Sequence, residues 1–137
     1  MGIGSMIVLD THTLVWWANG DDSQLSAAAR KAIKSRTGDG EIVISSISAW
    51  EIAMLVDRGR LTLTMSVSQW LKTLTQISQI RFIPVDNDIA VASTQLPGDF
   101  HKDPADRMIV ATSMSLAAPL ITADQRIRDY PHVKSIW

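Results

Sequence analysis

The sequence predicts an α/β fold: a three-layer α/β/α sandwich around a central, mostly parallel sheet of about five strands. Three observations predict it. Short, continuous apolar runs recur along the chain, segments of helical pattern separate them, and turn-forming residues fill the gaps. Strands alternating with helices imply right-handed crossovers and a sheet covered on both faces.

The first run is Ile7-Val8-Leu9, followed by a helical pattern over Thr13–Ala18 and the breakers Asn19-Gly20-Asp21-Asp22. A second helix is expected over Ser26–Arg36, closed by Gly38-Asp39-Gly40 before the run Ile42-Val43-Ile44. Ala49–Asp57 and Val67–Ile77 read as helices on either side of Gly59. Phe82-Ile83-Pro84-Val85 is the third expected strand, and Ile89–Gln95 the next helix. Pro97-Gly98-Asp99 then precedes a long helix over Pro104–Ala117 and the strand Leu120-Ile121. Val133–Trp137 supplies a fifth strand at the sheet edge. The runs are continuous rather than alternating, as strands buried on both faces require.

With 137 residues the chain is expected to be one domain, and folding to bury roughly two-thirds of the surface the unfolded chain exposes. Met1–Ser5 precede a second methionine and read as an appended remnant or a loose tail, so the domain is expected to span 6–137 with Met6 as its start. There is no cysteine, which excludes a disulfide scaffold and a thiolate zinc site and fits a cytoplasmic protein. No apolar run approaches the roughly 20 residues of a membrane-spanning helix, and the N-terminus lacks the layout of a signal peptide. No repeat or low-complexity tract is present.

The formal net charge is -1, whereas a protein that holds nucleic acid by electrostatics alone is usually strongly basic. Any contact with RNA or DNA is then local, with bound metal ions supplying much of the positive charge. Of fourteen acidic residues only Glu41 and Glu51 are glutamates, so a glutamate inside an apolar helix calls for a reason.

In folds of this kind the site lies beyond the carboxyl ends of the strands. Asp10 ends the first strand, Glu51 lies one helical turn beyond the second, and Asp124 follows Leu120-Ile121-Thr122. Asp106 opens the helix that leads back into that strand, so a crossover running antiparallel to the sheet carries it to the same edge. Each acid also has a capping explanation. Ser48-Ala49-Trp50-Glu51 reads as a capping box. Asp103-Pro104-Ala105-Asp106 reads as an N-cap, a proline at the first helical position and an acid favoured by the dipole. Asp10 and Asp124 are placed to cap the turns that follow them. Convergence separates the two explanations, because four carboxylates at one sheet edge raise each other's pKa unless a cation intervenes. Hard oxygen ligands suit Mg²⁺ or Mn²⁺. Such ions polarise a phosphodiester, lower the pKa of a coordinated water and stabilise the leaving oxygen.

Asp103 shares a helix face with Asp106 and is a reserve ligand, although it reads first as the N-cap. Thr11, Ser46 and Thr122 stand beside the acids, where they either orient water or phosphate or satisfy backbone groups at strand ends. Arg107, Arg126 and Arg128 lie near the acidic edge in sequence, and of the three Arg107 is the candidate for a flanking phosphate, charge runs being usually solvated faces. His12, His101 and His132 lack the paired spacing of zinc ligands and read as surface or loop residues. Adjacent Trp16 and Trp17 point about 100° apart on a helix, so one is expected in the core and the other free to anchor a partner.

Taken in order, Leu9-Asp10-Thr11-His12-Thr13-Leu14, Ser48-Ala49-Trp50-Glu51-Ile52-Ala53, Asp103-Pro104-Ala105-Asp106-Arg107-Met108-Ile109-Val110-Ala111-Thr112 and Leu120-Ile121-Thr122-Ala123-Asp124 resemble a PIN-domain ribonuclease. More narrowly, they are similar to the VapC toxins of type II toxin–antitoxin systems, and the likeness runs from Met6 to the end of the chain. The resemblance implies Mg²⁺- or Mn²⁺-dependent hydrolysis of RNA, a homodimer, and an antitoxin protein whose C-terminal segment covers the site. By position it makes Asp10, Glu51 and Asp106 the three principal acids and Asp124 the fourth. The chain departs from the family pattern at Met54-Leu55-Val56, where many relatives carry a basic residue, and at Ala105, where a bulky one is common. Three other readings stand beside it. A catalytically silent PIN-like module binds RNA or a partner without cleaving. A haloacid-dehalogenase-type phosphatase wants a second aspartate where His12 stands, and a receiver-like module wants neighbouring acids after the first strand.

Overall fold

Alternate residues of the apolar runs face opposite ways, and that alternation builds three layers. The computed structural model describes residues 6–137, and the tail expected over Met1–Ser5 lies outside the described residues. Five strands, β1 (Met6–Leu9), β2 (Glu41–Ser45), β3 (Ile80–Ile83), β4 (Leu120–Ile121) and β5 (Ser135–Ile136), form one sheet in the order β3-β2-β1-β4-β5. All four pairings are parallel, with Val8 opposite Val43 on one side and Leu120 on the other. Ile7, Leu9, Ile42, Ile44 and Ile121 pack on one face against α1 (Thr11–Ala18), α2 (Ala27–Asp39), α3 (Ser46–Asp57) and α4 (Val67–Thr75). Val8, Val43 and Leu120 pack on the other against α6 (Pro104–Leu116) and α7 (Gln125–Arg128), with α5 (Asn87–Thr94) laid on α6. Ile7, Val8 and Leu9 are wholly buried, as the central strand of a doubly covered sheet demands.

Side-chain caps start most of the helices. Ser26, Ser66 and Asp86 each accept from the amide three residues on, at 3.0, 3.2 and 2.9 Å. Ser45 caps α3 through the Ile47 amide at 3.2 Å, so that helix begins three residues before the expected Ala49. β3 lies two residues earlier than expected. It pairs Ile80 with Ile42 and stops before Pro84, which has no amide to give the ladder. Trp16 and Trp17 are both partly buried against the same core, so neither is the fully buried partner expected of the pair.

The strand order sets the position of the site. The chain builds outward from β1 to β2 and β3, then returns to place β4 on the other side of β1. Crevices form at the carboxyl ends of strands where the order reverses in this way. Here the ends of β1 and β4 meet the first turns of α3 and α6.

Candidate metal centre

Asp10 follows β1 directly and caps α1, its Oδ1 accepting from the Thr13 amide at 3.0 Å. The other oxygen, Oδ2, accepts from the Thr122 hydroxyl at the end of β4. The carboxylate is only 8% exposed. Burial raises its pKa, and the Thr122 and Thr13 hydrogen bonds partly offset the rise.

Glu51 stands on the second turn of α3. Thr11 donates to its Oε1, and the Ser48 hydroxyl lies 2.8 Å from the Thr11 oxygen. Because the single Thr11 proton goes to Glu51, Ser48 is the donor to Thr11, which gives a chain from Ser48 through Thr11 to Glu51. Burial raises the Glu51 pKa, Thr11 lowers it, and the charges of Asp103 and Asp10 raise it. The expected capping box is replaced here. Ser45 takes the N-cap, Ser48 is buried inside the helix, and Glu51 turns toward α1.

Asp106 lies in the first turn of α6 and Asp124 at the N-cap of α7. Asp124 Oδ1 accepts from the Arg126 amide at 2.9 Å, and its amide donates to Thr122 Oγ1 at 3.0 Å. One hydroxyl therefore ties Asp10 to Asp124. The Arg126 guanidinium reaches Asp124 Oδ2 at 3.1 Å and Asp106 Oδ2 at 3.6 Å. His101 places Nε2 3.2 Å from the same Asp106 oxygen. Its Nδ1 accepts from the Asp103 amide at 3.4 Å, which leaves the proton of the neutral ring on the buried Nε2. Burial and the nearby Arg126 lower the His101 pKa, so the ring is neutral and the contact is not an ion pair.

The loop before α6 holds His101 in place. Arg107 donates from Nε to Ser93 O at 2.7 Å and from Nη1 to Phe100 O and His101 O at 3.0 and 3.1 Å. Tyr130 donates to Pro97 O and packs its ring 4.8 Å from that of Phe100. Gly98 takes a φ of +65° at the loop turn, a conformation that favours glycine.

All four sequence-predicted acids line one cleft of about 330 Å³, together with Asp103, Thr11, His12, Trp16, Ala123 and Arg126. Asp106 responds most strongly to this company. Burial first, then the neighbouring Asp103, Asp124 and Glu51 carboxylates, push its pKa up to about 8. Asp124 goes the other way, since the Arg126 hydrogen bonds outweigh the effect of burial and hold it below the ordinary carboxylate range. His101, Asp106 and Asp124 each offer one ligand atom, all within 4.8 Å of one another. A divalent cation would relieve the repulsion that keeps Asp106 protonated. The Asp106 and Asp124 oxygens are the hard donors such an ion takes, and His101 would join them only through a ring nitrogen freed of its proton. The residues fit the ion.

Thr11 and Thr122 contact the acids. Ser46 and Arg107 do not line the cleft. The serine near Glu51 is Ser48, two residues further along α3, and Arg107 commits its Nε and Nη1 to three carbonyls of the loop before α6 and of α5, away from the cleft. Asp103 occupies the N-cap of α6 but makes no side-chain cap bond and faces the cleft. Sequence reasoning missed His101 and Ser48 and set Arg126 aside. His101 carries no local signal, because only the path of its loop brings it to Asp106.

A parallel sheet with five carboxylates gathered at its carboxyl edge defines an α/β protein built around a candidate divalent-cation site. A family model, PIN domain, matches residues 7–133. The chain belongs to the PIN-domain family, in its VapC branch. It is 32% identical over 133 residues to Ribonuclease VapC22 of Mycobacterium tuberculosis (strain ATCC 25618 / H37Rv), covering 96% of this chain and 98% of that protein. Its fold is similar to a crystal structure of VapBC2 from Rickettsia felis bound to a DNA fragment from their promoter, with a TM-score of 0.66 and 18% identity over 95% of this chain and 96% of that one. It is also similar to DNA-bound VapBC from Salmonella typhimurium, with a TM-score of 0.66 and 18% identity over 96% of each chain. Among the described residues no helix is long and apolar enough to cross a membrane.

Proposed function

We propose that this protein is a divalent-metal-dependent endoribonuclease that hydrolyses RNA phosphodiester bonds at the acidic cleft, and that it is the toxin of a toxin–antitoxin pair. One observation carries the chemistry: four carboxylates from distant segments meet in one cleft, where Asp106 is pushed up to about 8 by burial and its acidic neighbours. Such a cluster is the complement of a cation.

Asp10, Glu51 and Asp106 would hold Mg²⁺ or Mn²⁺, with Asp124 as a fourth contributor. When bound, the ion supplies Lewis-acid stabilisation of the charge that builds on the phosphate during hydrolysis. The protein's own residues do the rest. Thr122 fixes one oxygen of Asp10 and the Thr13 amide fixes the other. The Ser48–Thr11 chain fixes Glu51. Held in this way, the carboxylates meet the ion without reorganising. Thr11 lines the cleft with its one proton committed to Glu51, so its part is to hold that carboxylate.

The biological reading is supported by the relative named Ribonuclease VapC22 and by the similar structures, which are of VapBC proteins and of a toxin–antitoxin complex from Klebsiella pneumoniae. A cognate antitoxin protein, a homodimer and a cytoplasmic location follow from that reading. Purified protein is expected to cleave RNA with Mg²⁺ or Mn²⁺, to stop with EDTA and to resume when metal is restored, and Asp10→Asn is expected to be inactive. Cleavage that persists in EDTA and in Asp10→Asn overturns the mechanism. Induced expression without antitoxin is expected to arrest bacterial growth, and unaffected growth rejects the toxin reading alone.

A further inference from the structure

Arg126 is the one arginine or lysine among the residues lining the cleft, where it faces five carboxylates. Its guanidinium makes a forked contact with Asp124, Nε to Oδ1 at 3.3 Å and Nη2 to Oδ2 at 3.1 Å. The same Nη2 lies 3.6 Å from Asp106 Oδ2. It therefore bridges two of the three residues whose ligand atoms lie within 4.8 Å of one another. The side chain is nevertheless 61% exposed, so it is anchored chiefly by its forked contact with the ionised Asp124 rather than by packing.

We propose that Arg126 is the resident cation of the metal-free cleft and the phosphate-binding group of the metal-loaded one. This inference rests on the reading of the cleft as a divalent-cation site. A carboxylate oxygen bonded to a guanidinium is a poorer ligand for an incoming ion, and two cations sharing Asp106 and Asp124 repel each other. Metal binding thus weakens the hold of the two acids on Arg126. The planar fork matches a phosphate as well as it matches a carboxylate, and a phosphodiester drawn to the ion presents such a group beside it. Arg126 then exchanges one anion for the other through rotation of an exposed side chain. Nearby Arg128 offers a natural contrast, since it contacts Gln125 Oε1 at 3.5 Å and does not line the cleft.

The two halves of the proposal move in opposite directions in one variant. Mn²⁺ binding to metal-free protein, read by calorimetry, is expected to be roughly two- to fivefold tighter in Arg126→Ala than in wild type, the range an exposed, screened ion pair allows. Its KM for a short single-stranded RNA is expected to rise several-fold, and the slope of log KM against log salt to fall by about 0.7, the share of one phosphate contact. Arg126→Lys keeps the charge without the fork, so it retains most of the competition with Mn²⁺ and is expected to show a KM between those of wild type and Arg126→Ala. Arg128→Ala, with the same change of net charge, is expected to leave Mn²⁺ affinity unchanged. Unchanged or weaker Mn²⁺ binding in Arg126→Ala overturns the proposal, as does an unchanged KM. If wild-type protein binds no Mn²⁺ at all, the metal reading fails and this inference falls with it.

Discussion

The Thr122 hydroxyl donates to the Asp10 carboxylate across 112 positions of sequence, fastening the end of β4 to the end of β1. The same oxygen accepts the Asp124 amide at 3.0 Å. Thr122 is wholly buried.

Replacing that hydroxyl by a methyl group keeps the shape of the side chain and removes both bonds. Thr122→Val is expected to weaken Mn²⁺ binding roughly 10- to 100-fold, the usual consequence of losing a group that orients a ligand, while Thr122→Ser retains most of it. Calorimetric titration decides the point, and wild-type affinity in Thr122→Val removes the hydroxyl from the account.

The pH dependence of stability follows from Asp106. Its pKa is raised from 3.8 to about 8 in the folded, metal-free protein. A carboxyl that binds its proton more tightly when folded contributes stability that is full below its unfolded pKa and lost as pH rises through its folded one. Burial moves Asp10 and Glu51 in the same direction. Asp124 is lowered, and its contribution is instead lost as the solution becomes strongly acidic. The melting temperature of metal-free protein is therefore expected to fall between about pH 4 and pH 8, and saturating Mn²⁺ to flatten the fall. A level profile without metal contradicts the electrostatics described.

Metal binding and proton release are linked in the same way. Near pH 7 Asp106 is mostly protonated, and Mn²⁺ is expected to expel about one proton. Calorimetry in buffers of different ionisation enthalpy counts it. No released proton means that Asp106 is already ionised or is not a ligand.

Arg107 acts on stability. Its three bonds to Ser93, Phe100 and His101 carbonyls are partly buried, and Arg107→Ala is expected to cost about 1–3 kcal/mol in urea unfolding. Full stability together with weaker RNA binding would return Arg107 to the phosphate role its sequence position suggests.

What the sequence made legible depended on whether a local rule had competitors. β1, β2 and β4 are runs of Ile, Val and Leu that no other local structure claims, and their parallel pairing followed from alternation with helices, whereas the order of the strands had no local signal. The start of α3 was less legible because Ser45, Ser46 and Ser48 are all competent caps. Tertiary contact decided among them, giving Ser45 the cap and burying Ser48 beneath Thr11. The same contact turned Glu51 from an expected cap into a cleft residue. Asp103 has the N-cap position without the N-cap bond, a distinction that no pattern of residue types carries. His101 and Arg126 become neighbours of Asp106 only through the loop before α6 and the turn after β4. That the four acids would line one cleft was legible because topology places the ends of parallel strands and the first turns of the adjoining helices at one edge.

The central claim is that the acidic cleft cleaves RNA with a divalent ion held by its carboxylates. Cleavage of an end-labelled RNA by Asp106→Asn in Mn²⁺, beside wild type and on protein whose melting curve confirms the fold, tests it most directly. The account predicts no cleavage above background by this variant, and cleavage at the wild-type rate would contradict it.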